Sequence, residues 1–224
     1  MNNRLISPFL ITILSQFLFL SCETDSYEKG QGTYSLMQAD MGEVTINAEK
    51  QAVAFTTDDG DNYALTAPAT AQWIQTADTT YRAIIYYNKV EKGKAESVGL
   101  SSVPTMVPVE QWRYKELPQD PVGFESAWLA ANKKYINLGL LFKSGYVDDT
   151  MGRHSISIAQ DTVLVNADLT RTAYYRFLHG QKDTPEHFSN RHYVSILLPQ
   201  ERPDTIHLSI NTYSGEIKRT FVLK

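Results

Sequence analysis

Five side chains able to ligate a metal or move a proton fall within the fourteen residues HGQKDTPEHFSNRH: His179, Asp183, Glu186, His187 and His192. A zinc site takes three or four such ligands converging within a few ångströms, and a metal-dependent hydrolase could be built on them. The spacing is not that of the tight ligand pairs of zinc motifs, however. His179 and His192 stand on opposite sides of a connection between two apolar strands, and Thr184-Pro185-Glu186 has ordinary turn composition. A polar hairpin loop with locally bonded histidines is the stronger reading, and the hydrolase on loop 179–192 is the least favoured of three functional readings.

A second cluster, DDGDN at 58–62, offers the oxygen ligands Asp58, Asp59, Asp61 and Asn62 that suit calcium. It lacks the alternating spacing and distal glutamate of an EF-hand loop. A hairpin turn at Asp59-Gly60 accounts for it, since glycine takes the positive φ that such turns demand. No G-x-S-x-G elbow and no Walker or Rossmann glycine pattern is present. The expectation is therefore a protein that is not an enzyme and carries no metal or cofactor.

The 224-residue chain has formal charge −4, and loss of Arg4 with a cleaved leader would make it one more negative. Residues 31–110 carry Lys50, Arg82, Lys89, Lys92 and Lys94 against ten carboxylates, and residues 120–224 are nearly balanced. Neither half has the basic stripe that phosphate binding requires, so nucleic acid is not an expected partner.

The single cysteine, Cys22, sits where an apolar run ends and an acidic one begins. Residues 1–21 read as an export signal. Arg4 gives the positive end, and Leu5 to Leu20 form an apolar stretch too short, and too interrupted at Pro8, to span a membrane as a helix. Phe19-Leu20-Ser21-Cys22 resembles the lipobox of bacterial lipoproteins, which implies lipidation of the Cys22 thiol and cleavage just before it. Two or more acyl chains hold a protein on a membrane where one does not. Residues 22–31, with Glu23, Asp25 and Glu28, form an acidic tether resembling the surface-export signal of some Gram-negative lipoproteins. The expected location is the outer membrane of a Gram-negative bacterium, with the cell surface ahead of the periplasmic face. With no second cysteine, no disulfide can support a small core, so the mature domains must stand on hydrophobic burial.

After the tether the pattern is all-β. Short alternating or clustered runs at 32–39, 42–48, 52–68, 81–90 and 96–109 predict a small barrel over 32–117. Four of the nine prolines fall in 104–121, which reads as an extended connection and places the boundary near Leu117. Runs at 134–143, 153–160, 172–180, 191–199, 204–213 and 216–224 predict an antiparallel β-sandwich over 118–224. Ile136, Leu138, Leu140 and Phe142 share one face of the first run. Ser214-Gly215 predicts a closing hairpin, and Arg219, in an apolar-facing row, needs an edge or a partner. FESAWLAANKK (124–134) fits a helical turn or a first strand around Trp128.

Aromatic residues suggest a ligand surface in the first domain. Along 81–90, Arg82, Ile84, Tyr86 and Asn88 share one face and Tyr81, Ala83, Ile85 and Tyr87 the other. Tyr86 or Tyr87, with Trp73, could line a groove for a sugar or peptide. The competing reading is that tyrosine is a favoured strand residue.

In order along the chain, the lipobox, TTDDGDNYALTAP, DPVGFESAWLAANKKYINLGLLF, YYRFLHGQKDTPEHF and DTIHLSINTYSGEIKRTFVL resemble the NigD-like family of bacterial lipoproteins. Residues 70–110 match only loosely. The resemblance implies an OB-like barrel followed by an immunoglobulin-like β-sandwich, and an association with bacteriocin production through the family's name. It carries over no catalytic residues. The expected function is a lipid-anchored binding or adaptor module for an envelope protein, with a surface glycan-binding lipoprotein as the alternative.

Overall fold

Strand alternation builds the first half. In the computed structural model, which describes residues 36–147 and 150–224, strands β1 (Gln38–Ile46), β2 (Ala52–Thr57), β3 (Asn62–Ala69), β4 (Thr80–Glu91) and β5 (Lys94–Ser102) close into a barrel of order β1-β2-β3-β5-β4. The closing contact is a short parallel pairing of β3 with β5, Ala64↔Lys94 and Leu65↔Ala95. This is the OB-like barrel expected, and closure removes the exposed edges an open sheet would present. Ala83, Ile85 and Tyr87 of β4 point inward with Val44, Phe55 and Tyr63, and the Phe55 ring stacks on Tyr63 at 5.1 Å and meets Tyr87 edge-on at 4.8 Å. The alternate residues Arg82, Ile84 and Tyr86 therefore face outward. Gly60, at φ +92°, closes the β2–β3 turn as its sequence position requires.

Gly42 lies where β1 passes between β2 and β4. A Cβ there would collide with the Thr56 carbonyl oxygen and crowd the Ile85 side chain. Neither main chain can yield without opening the ladder. Gly42→Ala should lower stability by about 1–3 kcal/mol, as overpacked sites do, read as a fall of several degrees in melting temperature.

The second half is a sandwich. One sheet has the order β16-β15-β13-β12-β7, from β16 (Gly215–Val222), β15 (Thr205–Thr212), β13 (Arg171–Gly180), β12 (Ser155–Val165) and β7 (Pro108–Glu110). The other is β6-β14-β9-β8, from β6 (Thr105–Met106), β14 (Phe188–Leu197), β9 (Tyr135–Ser144) and β8 (Gly123–Leu129). A short ribbon, β10 (Tyr146–Val147) with β11 (Thr150–Met151), follows β9. The core between the sheets holds Ile136, Leu138, Leu140, Ile158, Phe177, Val194, Ile196, Ile206 and Leu208, all buried. Residues 124–134 resolve as strand β8 and its turn. Gly215, at φ +105°, closes the β15–β16 hairpin, and Arg219 lies on edge strand β16 over the Phe124 ring at 4.8 Å.

Two features depart from the expectation. The sandwich is not purely antiparallel: β13 and β15 run parallel because β14, between them in the chain, crosses to the opposite sheet. The proline-rich stretch is also not a free connection ending near Leu117. Thr105–Met106 already pairs with β14, and Pro108–Glu110 with β12. Pro104 and Pro108 sit beside and in edge strands, where a missing backbone donor is tolerated, so the crossover from barrel to sandwich falls at residues 102–104. Residues 118–120 then run along β13 (Asp120 N–H to His179 O, 2.9 Å; His179 N–H to Pro118 O, 3.0 Å), and Val122 bridges Thr212 of β15. From Met37 to Lys224 the chain forms one compact unit. Cys22, the leader 1–21, the tether 22–31 and the first residues of the span 32–117 lie outside the described residues.

Candidate functional site

The outward face of β4 does not meet solvent at Arg82. It meets the sandwich. Arg82 donates from both terminal nitrogens to the two carboxylate oxygens of Asp58, each at 2.6 Å, and from Nε to Ser195 Oγ at 3.2 Å. Asn137 completes the cluster: its Oδ1 accepts from Arg82 at 3.0 Å and from Ser195 at 2.7 Å, and its Nδ2 donates to Asp58 at 3.0 Å. The Arg82 guanidinium lies 4.1 Å from the centre of the Tyr135 ring. Arg82, Asn137 and Ser195 are buried, and the Asn132 N–H donates to the Asp58 carbonyl at 2.9 Å. Beside this cluster, Glu43 of the barrel takes hydrogen bonds from Lys134 and the Tyr135 hydroxyl. Burial pushes the Glu43 carboxyl up, but these partners outweigh it and hold the group below its usual range. The polar side chains at the junction thus bind barrel to sandwich.

Next to the cluster the junction opens into a cleft of about 400 Å³, within the size range of small-ligand sites. Its barrel wall is Ala39, Asp40 and Met41 of β1, Ile84 and Tyr86 of β4, and Thr57, Asp58 and Asp59 at the β2–β3 turn; its sandwich wall is Trp128 of β8 and Tyr193 of β14. Trp128 and Tyr193 meet edge to face at 6.3 Å. Gly139 sits opposite Tyr193 on one side and Ser126 on the other. A Cβ there would lie 2.7 Å from Ser126 Oγ and 3.4 Å from the Tyr193 ring, so its absence lets the ring rest against the sheet. Every charged side chain lining the cleft is acidic. Asp58 is neutralised by Arg82. Asp40 accepts the Tyr87 hydroxyl at 2.7 Å, and Asp59, exposed on the turn, has no ion-pair partner among the described residues.

Of the three aromatics expected to line a groove, the structure places only Tyr86 in the cleft. Tyr87 is 1 % exposed and packs inside the barrel; burial, and the bond to Asp40, push its phenol well up. This removes it from any ligand surface, because in a closed barrel the inward strand face is filled by side chains. Trp73 packs edge-on against Tyr81 at 5.5 Å and donates to the Leu100 carbonyl, away from the cleft. Trp128 and Tyr193 carried no sequence signal, since only the docking of the two halves brings them to Tyr86. Larger depressions, about 580 and 710 Å³, lie on the sandwich. The first is lined by charges that are already paired, Arg176 with Asp161 at 2.8 Å and Lys218 with Glu216 at 3.5 Å.

The two clusters weighed as metal sites are dispersed. In 58–62, Asp58 turns inward to Arg82, Asp61 faces the Tyr63 hydroxyl at 3.3 Å, and Asn62 accepts from Thr56. In 179–192, Glu186 pairs with Lys143 at 2.6 Å, while His179 and His192 lie against Phe142 with a residue outside that loop, His154. Among the described residues no three His, Cys, Asp or Glu side chains converge as a metal site. The histidines instead form a proton-ordered chain. The Asp120 carbonyl can only accept, so His179 Nδ1 carries the hydrogen of that 3.0 Å bond. His179 Nε2 must then accept from His154 Nδ1 at 2.9 Å, and His154 Nε2 from Ser144 Oγ at 3.2 Å. Burial lowers the affinity of His154, His179 and His192 for a further proton.

No protein-family model and no curated protein matches the sequence. Solved structures do match. A NigD-like immunity protein from Bacteroides caccae ATCC 43185 shares 20 % identity over 83 % of this chain and 97 % of its own, with a TM-score of 0.63. A candidate toxin-related protein from Parabacteroides distasonis ATCC 8503 gives 16 % identity, 83 % and 92 % coverage and a TM-score of 0.62. A candidate lipoprotein from Bacteroides fragilis NCTC 9343 gives 15 % identity, 84 % and 98 % coverage and a TM-score of 0.56. At these identities what is shared is the fold, and it is shared over nearly the whole length of each.

Proposed function

We propose that this chain, built on the NigD-like fold, is a lipid-anchored, non-enzymatic binding module of the Gram-negative outer membrane that presents the junction cleft to an envelope protein. The cleft carries the reading. It is walled by both halves, its aromatic side chains come from barrel and sandwich alike, and a buried ion pair holds one of its walls. Cys22 supplies the anchor in this reading, and cell-surface display is favoured by the acidic residues that follow it. The chain from Cys22 to the start of β1 at Gln38 spans at most about 55 Å when extended, so an anchored cleft works close to the membrane. The immunity and lipoprotein names of the structural neighbours agree with an envelope role, and none of the neighbours described above bears an enzyme's name. The bacteriocin association of the family name is compatible with a protein partner.

The test places a photo-crosslinking amino acid at Tyr86 or Trp128 in cells, with the exposed Val165 on the far side of the sandwich as control. The expected result is one discrete protein adduct from both cleft positions, absent from the control and diminished by Cys22→Ser, which should also move the protein out of the membrane fraction. Cleft positions that crosslink no more than Val165 would sink the binding reading. Unchanged membrane fractionation of Cys22→Ser would sink the anchor.

A further inference from the structure

We infer that the cleft takes an arginine side chain of the partner protein, held by Asp59 and stacked on the Trp128–Tyr193–Tyr86 rings. This rests on the reading of the cleft as a binding seat. The lining is acidic without a lysine or arginine; Asp58 is neutralised from behind by Arg82 and the Asp40 carboxylate is turned to the Tyr87 hydroxyl inside the barrel, so among the described residues Asp59 is left as the unpaired charge at the cavity. Carboxylates beside aromatic faces suit a planar guanidinium, which bonds carboxylate oxygens through a fork of N–H donors and stacks on rings. A lysine ammonium would answer the charge but not the flat surfaces, and a neutral sugar would answer the rings but leave the charge unmatched.

The molecule already uses this recognition behind the same wall: Arg82 forks onto Asp58 and lies over the Tyr135 ring at 4.1 Å. Arg219 covers the Phe124 ring in a similar way. The segment of this chain between Cys22 and β1 is a poor occupant. It brings Glu23, Asp25 and Glu28 against the single Lys29, so like charge opposes its entry.

The experiment titrates the detergent-solubilised full chain with an acetylated Gly-Arg-Gly-Arg-Gly amide, its lysine and citrulline analogues, and a chitohexaose, following heat and tryptophan fluorescence. The arginine peptide should bind saturably and the citrulline peptide, equal in shape but neutral, at least roughly tenfold more weakly. Asp59→Asn, an exposed turn position whose replacement leaves the fold intact, should cost a similar factor, and Trp128→Ala should abolish the fluorescence change. Equal binding of the arginine and citrulline peptides, or indifference to Asp59→Asn, overturns the arginine assignment. Chitohexaose binding lost in Trp128→Ala but kept in Asp59→Asn would leave the cleft a binding seat with a glycan as its ligand. Failure of every probe together with absent cleft crosslinks removes both readings.

Discussion

Arg82→Ala should lower the melting temperature by about 10 °C. Removing one partner of a buried ion pair typically costs about 3–5 kcal/mol, because the other charge stays behind without compensation, and each kcal/mol moves the midpoint by about 2–4 °C in a chain of this size. Here the loss is shared by three residues. Asp58 would keep a carboxylate in a half-buried wall with only the Asn137 amide to answer it, and Asn137 and Ser195 would each lose a donor. The cation over Tyr135 would go as well. The double variant Arg82→Met, Asp58→Leu separates causes. If the cost lies in the orphaned charge, the double variant should recover much of the lost stability, as apolar replacements of buried ion pairs often do. A single variant that melts within a degree or two of the parent would show that the cluster does not bind barrel to sandwich. Because Asp58 and its turn also form a wall of the cleft, Arg82→Ala should weaken cleft crosslinking too.

Acidification from pH 7.5 to 5 should destabilise the protein by up to about 1.4 kcal/mol per pH unit for each histidine that titrates differently in folded and unfolded chains. Burial lowers the folded-state proton affinity of His154, His179 and His192, and for His154 the neighbouring imidazoles add to it. The unfolded chain therefore binds protons first. The stability these groups contribute is fully present above their ordinary value of 6.5 and is lost as pH falls through the folded-state values below it. The chain Ser144–His154–His179–Asp120 accommodates one added proton by reversing its internal bonds, since Ser144 Oγ can accept as well as donate. A second proton sets two N–H groups against each other across the 2.9 Å contact. Thermal melts across this range check the slope, which should flatten in His154→Gln. Glu43, Glu125, Glu186, Asp168 and Asp204 are held below the usual carboxylate range, so their loss falls at lower pH and does not mask the histidines. A flat profile between pH 7 and 5 would show that the cluster does not couple to folding.

These effects arise at places where the sequence pattern stops being informative. In β9, Ile136, Leu138 and Leu140 were legible as an inward row from spacing alone, and they are buried. Nothing in the same stretch announced that Tyr135 and Asn137, on the opposite face, are buried as well. That face is covered by the barrel, a contact between segments far apart in the chain. His154 was invisible for a similar reason: its partner His179 lies 25 residues away and across a strand pairing.

What the sequence determined by itself was local and periodic. Period-two alternation specified the strands and their inward faces, Asp59-Gly60 and Ser214-Gly215 specified turns that need positive φ, and the order of segments specified barrel before sandwich. Tertiary structure decided which outward-facing residues become interior. It made Arg82 the centre of a buried cluster, sent Tyr87 into the barrel, and set Tyr86 against Trp128 and Tyr193 in one cleft. The physical reason is that alternation reports which face of a strand avoids water within its own sheet. Whether the other face meets water depends on what docks against it, and that contact leaves no local pattern to read.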